Sequence, residues 1–139
     1  MNLYSLHSNP EVLHGFDIAP YKLPAVAYIH AMNNPKLRPK LEPIIMKDPE
    51  YVFLYAHYVL KRRWPEAEPY IMKDPASATH YAEHVLKRPW PEAEPYIMKD
   101  PYHAFWYADI VLNDIWPEAE PYIMKDERIW TQYKLAFNL

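Results

Sequence analysis

Cysteine is absent from the 139-residue chain, which excludes disulfides, thiol catalysis and thiolate metal sites together. Glycine occurs once, at Gly15, so a phosphate-cradling loop of the Walker or Rossmann kind cannot form. Ser5, Ser8 and Ser77 likewise have no glycine-rich elbow to present a nucleophile. No apolar run approaches the ~18–20 residues of a membrane span, and Met1–Phe16 lacks the apolar stretch of a signal peptide. These absences predict a cytoplasmic protein with no membrane association. Neither sign of charge dominates: the net charge of -3 is too near neutral for a polyanion mimic or for nucleic-acid binding over the whole surface. Nothing calls for a cofactor, and the chain reads as non-enzymatic.

What is present is a core and a repeat. Half the residues are hydrophobic and 16% are aromatic, which suits one packed domain spanning residues 1–139. The string Trp-Pro-Glu-Ala-Glu-Pro-Tyr-Ile-Met-Lys-Asp occurs unchanged at Trp64–Asp74, Trp90–Asp100 and Trp116–Asp126, always 26 residues apart. Periods of 20–50 residues mark stacked arrays of one small structural unit. The 16 prolines fall at fixed places in that unit, so they punctuate it instead of signalling disorder.

Each unit reads as two helices. The longer begins at Asp48-Pro49, Asp74-Pro75 and Asp100-Pro101, where Asp caps the helix and Pro suits its first position. Tyr55, Tyr81 and Tyr107 share one column, and Ala56, Ala82 and Ala108 the next. The small residues Val52, Ala78 and Ala104 stand four before the alanines, with the Val59 and Leu60 columns following. Offsets of three, four and seven draw a single helical stripe, predicted to be buried. The shorter helix comes from the string, with Ala67 and Ile71 inward and Trp64 stapling the turn. Pro69 removes a backbone donor, which predicts a kinked or partly 3₁₀ helix at Glu68–Tyr70, repeated at Pro95 and Pro121.

The ends are diverged copies. Residues 1–37 form an N-terminal cap, with a short helix from Asn9-Pro10 to Gly15 and a degenerate longer helix over Pro24–Met32, stopped near Asn33-Asn34-Pro35. Residues 38–126 carry the repeats, the first string being the weaker Arg38–Asp48. Residues 127–139 form a C-terminal capping helix in which Trp130 replaces a small residue and covers the open end. The prediction is an all-α solenoid of helix-turn-helix units with about nine helices.

The string followed by Tyr-Ala-x-x-Val-Leu-Lys, over residues 38–137, resembles the short helical repeats of uncharacterised proteins from tailed phages and large DNA viruses. The resemblance implies a viral origin and a superhelical stack, and it brings no catalytic residues with it.

Three sets of residues are candidates for function. His80-Tyr81-Ala82-Glu83-His84 fits H-x-x-E-H, in which two histidines one helical turn apart bind zinc and the glutamate acts as base. Against it, Tyr81 and Ala82 belong to the buried stripe, and the histidine columns hold Leu54 and Trp106, or Tyr58 and Ile110, in other units. No metal is assigned, and His80 and His84 are the only metal candidates. A basic rim is the second set: Lys36, Arg38 and Lys40, then Lys61, Arg62 and Arg63, then Lys87 and Arg88, fading at Asn113-Asp114. It either contacts phosphates or solvates helix C-termini.

The third set is the face that varies between units. Glu50/Ala76/Tyr102, Leu54/His80/Trp106, His57/Glu83/Asp109 and Lys61/Lys87/Asn113 lie on one side of the longer helix, opposite the tyrosine–alanine stripe. Leu54, His57, His80, Glu83, Tyr102, Trp106 and Asp109 are the candidate protein-contact residues, because interfaces are rich in Trp and Tyr. An unconstrained wet surface would vary in the same way. Glu66, Glu68 and Lys73 are expected on the surface, their constancy reflecting either a contact ridge or recent duplication.

The function these features favour is a non-enzymatic protein-binding module. With the resemblance, it becomes a viral protein that occupies and inhibits a host protein such as a defence complex. A nucleic-acid-associated protein using the basic rim comes second, and a structural or assembly component third.

Overall fold

The computed structural model describes residues 21–139, and every regular element among them is helical. The short helix expected from Asn9-Pro10 to Gly15 lies outside the described residues. Helix α1 runs Pro24–Asn33 and ends where the Asn33-Asn34-Pro35 sequence requires, with a 3₁₀ turn at Pro35–Leu37 leading into α2, Arg38–Ile45. The repeats then alternate long and short: α3 (Pro49–Leu54), α4 (Glu68–Ile71), α5 (Pro75–Tyr81), α6 (Glu94–Ile97), α7 (Pro101–Trp106) and α8 (Glu120–Ile123), closed by α9 (Glu127–Ala136). Each of α3, α5 and α7 continues as a wider π-helical stretch to Leu60, Leu86 and Leu112. Long helices pack side by side, α3 on α5, α5 on α7 and α7 on α9, and α3, α5 and α7 are each backed by the short helix that follows. This is an all-α helical-repeat stack.

The capping signals behave as their chemistry dictates. Asp48 accepts from the Glu50 amide, Asp74 from Ser77, Asp100 from His103, and Asp126 from Arg128 and Ile129. At the other end, each π stretch stops on a residue in the left-handed region: Lys61 at φ 54°, Lys87 at 54° and Asn113 at 52°. A left-handed residue of this kind costs ~1–2 kcal/mol relative to glycine, and Asn tolerates it best. The Ala56 carbonyl accepts from both Lys61 and Arg62, closing the helix, and Ala82 and Ala108 do the same in the next units. The lysine column is therefore a helix stop before it is anything else.

The string is a tight turn followed by one helical turn. The Ala67 amide donates to the Trp64 carbonyl, and the helix restarts at Glu68, so Pro69 falls in a first turn where its missing N–H is not needed. The expectation of a kinked or partly 3₁₀ helix at Glu68–Tyr70 is met in its second form: the Glu68 amide donates to Pro65 at 3.3 Å and the Tyr70 amide to Ala67 at 3.0 Å, each three residues back.

The tyrosine column explains why the string does not vary. Tyr81 is fully buried; its hydroxyl donates to Glu68 Oε1 (2.9 Å) and accepts from the Trp64 amide (2.8 Å), both in the preceding string. Its ring packs on Trp90 of the following string, with centres 5.2 Å apart. Tyr107 repeats this with Glu94, the Trp90 amide and Trp116, and Tyr133 with Glu120 and the Trp116 amide. Tyr55 donates to Glu42 in the diverged first string, where Arg38 stands in the tryptophan column. One side chain thus bonds to the string before it and packs on the string after it. Each aromatic pair adds ~0.5–1.5 kcal/mol beyond its burial.

This corrects the expectation for the second glutamate of the string. Glu68 is only 9% exposed, and Glu94 and Glu120 are half-buried, because a buried tyrosine hydroxyl needs an acceptor. Glu66 and Lys73 do face solvent. At the end of the stack no further tryptophan follows, and Trp130 and Phe137 fill the place around Tyr133, at 5.4 and 4.9 Å. Val52, Ala78 and Ala104, the tyrosines and the alanines of the stripe are all fully buried, while the Val59 and Leu60 columns pack against the core half-exposed.

Candidate functional site

The face that varies between units is not an open helix surface. Side-by-side packing of the long helices turns it into a row of clefts, and Leu54, His57, His80, Glu83, Trp106 and Asp109 are all half-buried. The larger cleft, about 590 Å³, lies between α3 and α5. Its walls include Asp48, Glu50, Phe53, Leu54, Tyr58 and Asp74, together with His57, His80 and His84. A second depression of about 290 Å³ lies two units further on, between α7 and α9, bounded by Tyr102, Phe105, Trp106, Asp109, Ile110 and Gln132.

Phe53 is the hub of the larger cleft. Its ring stacks on His57 and His80, each at 5.6 Å, and approaches His84 at 5.9 Å. His57 and His84 stand 5.5 Å apart although they belong to different units. His80 also meets the edge of Trp106 at 5.5 Å, and the Trp106 indole N–H donates to Glu83 Oε2 at 3.1 Å. Burial holds the His80 imidazole below its ordinary pKa, with Glu83 opposing and His84 and His103 assisting. Trp106 is thus tied to the preceding unit. Tyr102, 45% exposed and edge-on to Trp106, is the more available aromatic.

Among the candidates, then, Leu54, His57 and His80 line the cleft between α3 and α5, and Tyr102, Trp106 and Asp109 line the one between α7 and α9. Glu83 sits between them, bound to Trp106. Phe53, Tyr58 and Ile110 also line the clefts and were not among the candidates, although Tyr58 and Ile110 share with His84 a column that differs in every unit. Phe53 carried a faint signal: its column reads Phe53/Thr79/Phe105, varying in size where a buried column would stay constant.

The basic rim is only partly available. Lys61, Arg62, Lys87 and Arg88 are exposed. Arg63 is engaged by Glu68 through two bonds, Nε to Oε1 at 2.9 Å and Nη2 to Oε2 at 2.8 Å. The other units place Pro89 and Ile115 at that position, so the pair belongs to one unit. Arg62 donates to the Arg63 carbonyl, and Lys61, Arg62 and Lys87 border a depression of about 190 Å³ with His57 and His84.

No helix among the described residues is long and apolar enough to cross a membrane. Comparison with protein-family models, curated proteins and solved structures returned no match, so the site is read from its geometry.

Proposed function

We propose that the protein is a non-enzymatic binding module whose cleft row takes a segment of a partner protein. The observation that carries this reading is the placement of unit-specific side chains in clefts built by constant ones. Tyr102, Trp106 and Ile110 give the second depression an aromatic and apolar floor suited to an anchor side chain. Asp48, Glu50 and Asp74 at the larger cleft favour a partner carrying basic residues beside that anchor. The resemblance of the string to viral repeats supports a host protein as the partner, with inhibition of a defence complex as the outcome.

The test is capture of a stoichiometric host protein from lysate by the purified chain, repeated with Tyr102→Ala. Loss of at least tenfold in affinity is expected, as for an interface anchor. Full retention with that variant, or no partner at all, rejects the reading. Nucleic-acid contact is the second reading, supported by the exposed Lys61, Arg62, Lys87 and Arg88. Glutamate substitutions at Lys61 and Arg62 that leave RNA or DNA affinity unchanged would eliminate it.

A further inference from the structure

The histidines of the larger cleft come from two units and meet in one place. The ligand atoms of His80, Glu83 and His84 lie within 4.8 Å of one another. His57, from the preceding unit, stands beside His84, with ring centres 5.5 Å apart. We infer that His80, Glu83 and His84, closed by His57, bind a divalent transition-metal ion of the zinc class. The inference concerns ligands within one chain, and its test needs no partner.

The spacing suits the chemistry. Two imidazoles on one tetrahedral ion, with metal–nitrogen bonds of ~2.0–2.1 Å, have ring centres roughly 5 Å apart. His57 and His84 stand at 5.5 Å, and His80 and His84 at 6.2 Å with nearly parallel planes. Side-chain rotation of the half-exposed histidines covers that difference without moving the helices. The Glu83 carboxylate already lies 3.4 Å from His84 Nε2. Its bond from the Trp106 indole holds it in place, as an outer hydrogen bond does for a ligating carboxylate. Phe53 supplies an apolar wall against all three rings.

Imidazole with carboxylate selects zinc, cobalt or nickel over magnesium and calcium, which need oxygen ligands. The set occurs once: in the other units the His80 column holds Leu54 and Trp106, and the His84 column Tyr58 and Ile110. It is therefore a property of one cleft and not of the repeat. The H-x-x-E-H spacing matches zinc-protease helices, but there the glutamate serves as base. Here Glu83 is one of the ligands and is already bonded to Trp106, so the ion would clamp two units together and not cleave a peptide.

The experiment is a calorimetric Zn²⁺ titration of the untagged protein, with Mg²⁺ as the contrast, alongside thermal melting. One equivalent of Zn²⁺ is expected to bind and to raise Tm, with Mg²⁺ doing neither. His80→Leu and His84→Tyr install the residues that the preceding unit uses at the same places, so their folds should survive, as melting without metal would verify. Each should weaken Zn²⁺ roughly tenfold or more, and His57→Asn should weaken it as well, while His103→Gln, outside the cluster, leaves it unchanged. Zn²⁺ affinity that survives both His80→Leu and His84→Tyr overturns the assignment. So does the absence of saturable binding by roughly 100 μM Zn²⁺.

Discussion

The two faces of each long helix follow opposite rules. On the inner face Tyr81, Tyr107 and Tyr133 repeat the same bonds, to the glutamate and the tryptophan amide of the string before. On the outer face Leu54, His80 and Trp106 occupy equivalent positions and have different partners. The difference follows from what each face must satisfy. A buried hydroxyl, a buried amide and a carboxylate leave one workable arrangement, so any change strands a polar group at ~1–3 kcal/mol. A cleft wall half open to water tolerates many side chains, so what stands there is free to serve binding.

Raising pH should break the inner face first and hardest. Burial is the largest cause holding the Tyr55, Tyr81, Tyr107 and Tyr133 hydroxyls above their ordinary range, with Tyr133 pushed up to about 12. A folded value above the unfolded 10 means that the unfolded chain gives up its protons first. Their contribution is whole below about pH 10 and is lost as pH climbs through the folded values, by up to ~1.4 kcal/mol per tyrosine per pH unit. Tyrosinate absorbance should appear together with loss of helical circular dichroism. Ionisation of all 13 tyrosines in a chain that stays helical would contradict the inner-face account.

Removing one hydroxyl tests the same face more gently. Tyr107→Phe leaves the Trp90 amide without its acceptor and Glu94 without its donor, and should cost about 1–3 kcal/mol in urea unfolding. A cost below the ordinary surface range of about 0.5 kcal/mol would show that the bond does not hold the stack. The finest comparison lies within the string. Glu94→Gln should cost about 1 kcal/mol because Glu94 accepts from Tyr107, whereas Glu92→Gln, at an exposed position, should stay within about 0.5 kcal/mol. Equal effects would mean that both glutamates are kept for a reason outside the fold.

Much of the frame was legible because its signals are local. Asp-Pro marks a helix start through the cap and the fixed φ of proline, and the spacing of three, four and seven marks the buried stripe. The helix starts stand where they were expected, and so does the stripe except at its offset of seven, where Val59, Val85 and Val111 are half-exposed. Glu68 was misplaced for an equally definite reason. Its acceptor role depends on Tyr81, 13 residues on, and nothing in the spacing announces a bond across units. Trp106 looked like a free anchor for the same cause, its tie being to Glu83 in the preceding helix.

The sequence by itself determined the helical units, their stops and starts, and which columns are constant. Those depend on backbone preference and on periodicity within one helix. Only the tertiary structure decided that the varying face becomes a row of clefts, and that His57, His80 and His84 surround Phe53. Such meetings depend on the register with which one long helix lies against the next. That register is set by the tyrosine bridging two strings, a contact that no single unit contains.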